Sequence, residues 1–147
     1  MYKSSAAALF AISLASGCAT KMYEGHERPA AQVATVAGSF FYFIVGSSHT
    51  CILTINGERT IASEVSRYRV LPGDVVLHVA ALTDVGGLSS GCNSNLRRQG
   101  VVRFEAVAGR SYTIRNRRIS KDGEDRTQYW VEDDETGAMV AEGTGSL

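Results

Sequence analysis

Cysteine is scarce in this chain, and the three residues, Cys18, Cys51 and Cys92, form no C-x-x-C pair, so the spacing of a thiol redox motif is missing. No uninterrupted apolar run reaches the roughly 20 residues that a membrane-spanning helix needs, which argues against a permanent span. Ser47, Ser48, Ser89 and Ser90 lie in turn-like or loop-like stretches without a G-x-S-x-G elbow, which removes the frame of a serine hydrolase. Neither sign of charge dominates, since 15 Lys and Arg meet 15 Asp and Glu, and nothing marks a nucleic-acid partner. Arginine outnumbers lysine 12 to 3 within that balance. No fixed-period repeat stands out.

What is present begins at the N-terminus. Met1-Tyr2-Lys3 carries one positive charge, the stretch AAALFAISLA carries none, and the small residues Ser16 and Gly17 follow, which is the layout of a secretory signal. Instead of a small-x-small cleavage tripeptide the chain has LASGC, residues 14–18. This stretch resembles the lipobox of bacterial lipoproteins. The resemblance implies that the Cys18 thiol receives a diacylglycerol, that the signal is cut before it, and that the new N-terminus is acylated. A thiolate is the natural nucleophile for such a thioether, and several acyl chains hold a protein stably where one holds it marginally. Ala19 in place of Asp after the cysteine implies delivery to the outer membrane, with the domain facing the periplasm. The rival reading is an ordinary signal peptide with an incidental cysteine.

The chain thus divides into a removed signal, 1–17, a lipidated Cys18 with a polar tether, 18–32, and a domain, 33–147. A short helical turn is compatible with the tether after Pro29. Removal of 17 residues from 147 leaves 130, enough for one domain. Loss of Lys3 leaves 14 basic residues against 15 acidic ones. Cys51 and Cys92 then remain as an even pair in an oxidising compartment, where one disulfide is expected. Closing a loop of about 40 residues stabilises by roughly 4 kcal/mol in the chain-entropy description. Two buried free thiols or a redox pair are the alternatives.

From Val33 onward the pattern predicts an all-β domain, a single, mostly antiparallel β-sandwich of eight or nine strands without a helix. VATV and SFFYFIV open the series, TCILTIN and ERTIA flank Asn56-Gly57, the strongest short hairpin signal. Pro72-Gly73 introduces VVLHVAAL, residues 83–100 form a glycine-rich loop, and VVRFEAV reads as a hairpin with SYTIRNRRIS about Ala108-Gly109-Arg110. KDGED and DETG turn the chain into its last two strands. The segments ING, YRVLPGDVVLHV, VRFEAVAGRSYTIR and YWVEDDETGAMVA resemble small envelope lipoproteins and the PEGA and transthyretin-like β modules, in which a glycine precedes an alternating strand and an A-G-x-x-Y corner begins the next. Gly73, and Gly109 with Tyr112, hold those places. The PEGA tetrad itself is absent, and the resemblance implies no catalytic residues.

Three side-chain groups bear on chemistry. His49 and Cys51, two apart on a strand, share a face, yet no further ligand is visible, and His26 and His78 are scattered. Neither a metal nor another cofactor is expected. His78 alternates with Val76, Ala80 and Leu82 and is expected in or beside the core. Glu132-Asp133-Asp134-Glu135 raises calcium, but a contiguous run before Thr136-Gly137 suits a solvated hairpin tip better than a loop wrapped around an ion. In the 101–119 hairpin, Val107 opposite Ser111 puts Arg103 opposite Arg115 and Val101 opposite Arg117, with Val102, Phe104 and Ala106 facing the core. Arg103, Arg115 and Arg117 are then a candidate anion-binding face, with Arg97, Arg98 and Arg118 nearby. The alternative is that Glu105, Glu124 and Asp125 neutralise them. No catalytic residue is expected. The sequence therefore points to a membrane-anchored, non-enzymatic binding or structural module with an envelope protein, glycan or lipid as partner. An accessory subunit of an envelope assembly, marked by a large exposed apolar patch, is one alternative. A small hydrolase or metal-binding protein, marked by a pocket holding His49 or His78 with carboxylates, is the other.

Overall fold

The computed structural model describes residues 19–43, 46–61, 67–84 and 98–146. Among the described residues eleven strands form one sheet: β1 (Ala19–Lys21), β2 (Ala34–Ala37), β3 (Ser39–Phe43), β4 (Gly46–Ile55), β5 (Glu58–Arg59), β6 (Arg67–Val70), β7 (Gly73–Asp84), β8 (Gln99–Ala106), β9 (Ser111–Lys121), β10 (Glu124–Asp133) and β11 (Met139–Ser146). Ten of them run in the order β1-β6-β2-β9-β10-β11-β8-β7-β4-β3, and β5 hangs from β4. The all-β expectation holds, but the two stacked sheets of a sandwich are replaced by one curled, mixed sheet, a half-barrel. Most pairings are antiparallel, while β1 with β6 and β2 with β9 are parallel. Among the described residues no helix is long and apolar enough to cross a membrane.

The curl has a traceable cause. β2 and β3 are separated only by Gly38, yet β2 pairs with β6 and β9 while β3 pairs with β4. One length of chain therefore carries both ends of the sheet toward each other. Asn116 of β9 tightens the approach by donating from Nδ2 to His49 O at 3.2 Å and to Thr50 Oγ1 at 2.6 Å on β4. Ser39 donates to Thr50 Oγ1 as well, at 3.1 Å. These bonds satisfy polar groups that the closing sheet removes from water.

Inside the curl lie Val36, Ile52, Ile55, Tyr68, Val75, Leu77, Val79, Val102, Phe104, Tyr112, Ile114, Tyr129 and Val131, all buried. β8 alternates strictly, with Val102, Phe104 and Ala106 inward and Val101, Arg103 and Glu105 exposed, as a period of two requires. β7 buries Val75, Leu77 and Val79, which leaves His78 exposed rather than in or beside the core. Asn56 and Gly57 take φ of 51° and 84° at the β4–β5 turn, and Asp122 and Gly123 take 55° and 81° at the β9–β10 turn. These are the left-handed positions that such hairpins require.

Two expectations change. The 18–32 tether is docked where described: Ala19, Thr20 and Lys21 pair with Arg67, Tyr68 and Arg69, Met22 N donates to Arg69 O at 2.9 Å, and Met22 packs against the core. Glu27 pairs with Arg69. After Pro29 comes one 3₁₀ turn, Ala30–Gln32. Second, β8 and β9 are not hairpin partners. β8 lies between β7 and β11, while β9 lies between β2 and β10. Three consecutive strands, β9, β10 and β11, thus have β8 beside the last of them, which is a Greek key. The crossing is fixed by Tyr112, whose hydroxyl accepts Val107 N–H at 3.0 Å and whose ring meets Phe104 edge-on at 4.9 Å. Gly109 at φ 78° donates to Val33 O at 2.8 Å, and Thr35 N donates to Arg110 O at 2.9 Å, so the chain is handed to β2 and not returned to β8.

Candidate binding face

β10 sends Thr127, Tyr129, Val131 and Asp133 inward and therefore Gln128, Trp130 and Glu132 outward. The single tryptophan of the chain stands half-buried on the outer face of an interior strand rather than in the core. Trp130 lies opposite Arg115 of β9 and Glu142 of β11, and Gln128 lies opposite Arg117 and Thr144. Arg115 holds Glu132 through two bonds, Nε to Oε2 at 3.0 Å and Nη2 to Oε1 at 3.1 Å. Arg117 donates from Nε to Gln128 Oε1 at 2.6 Å, and Gln128 Nε2 donates to Glu142 Oε2 at 2.9 Å. The Arg117 guanidinium lies 5.8 Å from the Trp130 ring centroid, within cation–π range. Because its bond to Gln128 uses Nε alone, the two Nη amino groups of Arg117 remain outside that bond, in the planar fork that suits phosphate or carboxylate.

The expected facing of Arg103 with Arg115, and of Val101 with Arg117, does not form. Arg103 sits opposite Val76 and Val101 opposite His78, because β8 pairs with β7. Arg103 points outward but meets Asp74 at 3.7 Å, an exposed and therefore weak pair. The acidic partners also differ in part from those expected: Glu132 serves Arg115, Asp125 serves Arg118 and Glu124 serves Arg126. The Arg118 hydrogen bond holds the Asp125 carboxyl below the usual carboxylate range, and the guanidinium is raised in turn. Arg98 acts through its backbone: its carbonyl accepts the Tyr129 hydroxyl at 2.6 Å. Arg97, Ser89, Ser90, Cys18 and Cys92 lie outside the described residues.

The acidic run serves the β10–β11 turn. Asp133 Oδ1 accepts Glu135 N–H at 2.9 Å and Thr136 N–H at 3.0 Å, and Arg110 reaches Oδ2 at 3.2 Å. Asp134 accepts from Thr113 Oγ1 at 2.6 Å, and Glu135 pairs with Arg110 at 2.7 Å. Among the described residues no three His, Cys, Asp or Glu side chains gather as a metal site. The backbone N–H of Thr136, and then that of Glu135, holds the Asp133 carboxyl below its usual range, against the opposing effect of desolvation. A depressed folded value means stability that is complete above the unfolded value and lost as pH falls through the folded one. Asp133→Asn keeps an oxygen acceptor without the titrating charge, so its melting temperature is expected to fall less steeply than that of the wild type below about pH 4. Parallel thermal melts across acid pH check this. Equal slopes count against Asp133.

Beside the same face, a hollow of about 340 Å³ is lined by Ile119, Asp122, Glu124, Arg126 and Thr144. Neither His49 nor His78 borders it; His49 is buried and His78 stands exposed on β7. The exposed apolar side chains Ile61, Leu71, Val101, Val107, Met139 and Val140 are spread over several elements. No protein-family model, curated protein or solved structure matches the chain. The face is thus read from its own geometry. Trp130 was legible in one respect: in QYWV, alternation forces either Tyr129 or Trp130 outward, and the flanking Val131 shares its face with Tyr129.

Proposed function

We propose that this protein is a lipid-anchored envelope module, attached through Cys18 to the outer membrane, that binds an anionic envelope component on the face formed by Arg115, Arg117 and Trp130 and does not turn it over. The observation that carries the reading is Trp130 outside the core, with Arg117 over its ring and bonded to the Gln128 amide oxygen instead of a carboxylate. Tryptophan and arginine are the side chains that most often dominate binding free energy at such surfaces. Arg103 is replaced in this role by Trp130, since it belongs to β8 and is matched to Asp74. The test is salt-dependent retention of the protein without its acyl chains on phosphatidylglycerol and on acidic glycans. Arg117→Gln is expected to weaken retention roughly fivefold, the worth of one basic residue near an anionic surface, with the circular dichroism spectrum unchanged. Undiminished retention would transfer the reading to an accessory subunit.

We also propose the Cys51–Cys92 disulfide. Cys51 is fully buried on β4 opposite Ala80, and Ala80 is opposite Gln99. Two strand spacings separate Cys51 from Gln99, about 10 Å, and the seven residues from Cys92 to Gln99 span at most roughly 25 Å when extended. The strands thus hold the root of the segment that carries Cys92 within reach of Cys51. Non-reducing peptide mapping of freshly isolated protein is expected to yield one linked pair, and full alkylation of both thiols without reduction contradicts it.

A further inference from the structure

We infer that the anionic component met by this face is the phosphate headgroup layer of the leaflet that holds Cys18. The inference deepens the lipid-anchored reading above and rests on it. Ala19 pairs with Arg67, Arg67 with Ala37, Ala37 with Thr113 and Thr113 with Glu132, one row across five strands. β1 leaves this row toward Lys21, so the chain enters Ala19 from the opposite side. β1 and β6 are parallel, β2 opposes them and β9 follows β2. β9 therefore runs past Thr113 toward the end at which the chain enters β1. Arg115 and Arg117 follow two and four residues on, about 7 and 13 Å beyond the row, with Trp130 opposite Arg115.

The docked N-terminus removes the slack that would let the domain drift from its anchor. The bond from Met22 N to Arg69 O and the Glu27–Arg69 pair secure the segment behind β1, and Cys18 is one peptide, about 3.8 Å between Cα atoms, from Ala19. Acyl chains on Cys18 thus bring a bilayer surface to the same end of the sheet as Arg115, Arg117 and Trp130. Tryptophan is suited to the level of the headgroups, where its ring meets both apolar and wet surroundings. A guanidinium fork is suited to phosphate. The hairpin cations farther along, Arg118 and Arg126, are already matched to Asp125 and Glu124, which leaves Arg117 as the principal contact.

Since Trp130 is the only tryptophan, its fluorescence reports this face alone. The mature acylated protein is reconstituted into vesicles of phosphatidylcholine, or of phosphatidylcholine with phosphatidylglycerol, containing lipids brominated near the headgroup end of the acyl chains. Trp130 emission is expected to shift to the blue, to be quenched by the brominated lipid, and to lose quenching by aqueous acrylamide, most strongly with phosphatidylglycerol. Each basic residue near an anionic leaflet strengthens association roughly fivefold. Arg117→Gln is expected to lower the docking equilibrium by about that factor, and Arg115→Gln added to it to lower the equilibrium by less than a further fivefold, because Glu132 already holds the Arg115 guanidinium, while both variants still sediment with the vesicles. Trp130 open to acrylamide on vesicles of either composition overturns the inference, as does a protein that fails to sediment with them. If polygalacturonate shields Trp130 where vesicles do not, the headgroup inference falls and the anion-binding face stands. If neither shields it, both fall.

Discussion

Gly143→Ala and Gly145→Ala are each expected to lower the melting temperature by several degrees, although alanine is ordinarily as good a strand residue as glycine or better. The reason is the closeness of β11 to β8. A Cβ on residue 143 stands 2.2 Å from Val101 O, and one on residue 145 stands 2.3 Å from Gln99 O and 2.9 Å from the Tyr129 ring. The nearest obstacle in both cases is a backbone carbonyl, which cannot rotate aside as a flexible side chain can. β8 must therefore move as a strand, and it is fixed on its other edge by the long pairing with β7. Overpacking of this kind costs about 1–3 kcal/mol, and each kcal/mol lowers the melting temperature of a domain of this size by roughly 4 °C. Thr144→Ala, on the exposed side of the same strand, provides the comparison and is expected within about 0.5 kcal/mol of wild type. Thermal melts of the three variants check this, and a pair of glycine variants melting with Thr144→Ala contradicts the close approach.

The glycines mark the boundary of what was legible in the sequence. Asn56-Gly57, Asp122-Gly123 and the alternation of Val102, Phe104 and Ala106 specify local geometry, and the structure reproduces all three. Alternation says which residues face inward, not which strand lies alongside. Ala108-Gly109-Arg110 looks like a hairpin loop on that ground, whereas Gly109 and Arg110 bond to the chain about β2, and no local pattern announces that partner. The arginine face survives only in part for the same reason: Arg115 and Arg117 share an outer face, but with Trp130 and Gln128 instead of Arg103. The polar stretch before Val33 shows no strand pattern in the sequence, yet Ala19–Lys21 pair with β6 and Met22 packs against the core. Close approach of two backbones, as at Gly143 and Gly145, leaves only a G-x-G in the sequence, a signal shared with ordinary turns.

Tyr129→Ala is expected to be the most damaging single substitution on β10. The Tyr129 ring occupies the space that a side chain on Gly100 or Gly145 would take, so it fills the gap that the glycines of β8 and β11 leave. Its hydroxyl donates to Arg98 O at 2.6 Å and accepts Ala81 N–H at 3.0 Å, while Ala81 N–H also reaches Arg98 O at 3.0 Å. The ring thus closes the sheet where β7 ends and β8 is about to begin. Removing a buried aromatic ring costs about 3–5 kcal/mol, a large share of the 5–15 kcal/mol that holds a typical domain together. Tyr129→Phe keeps the ring and removes only the hydroxyl; Ala81 N–H still donates to Arg98 O, so the loss is that of a net hydrogen bond, about 0.5–1.5 kcal/mol. Titration separates the hydroxyl from the ring. Burial pushes the Tyr129 phenol up to about 12, against the smaller opposing effects of the Ala81 N–H and the Arg98 charge. Its raised folded value adds stability that is complete below the ordinary phenol value near 10 and lost as pH rises through the folded value, because the unfolded chain releases the proton first. The wild type is therefore expected to lose stability above about pH 10 more steeply than Tyr129→Phe. Chemical denaturation of the three proteins at neutral and alkaline pH measures both effects; a Phe variant equal to wild type at neutral pH, with the same alkaline slope, would remove the hydroxyl from any part in closing the sheet.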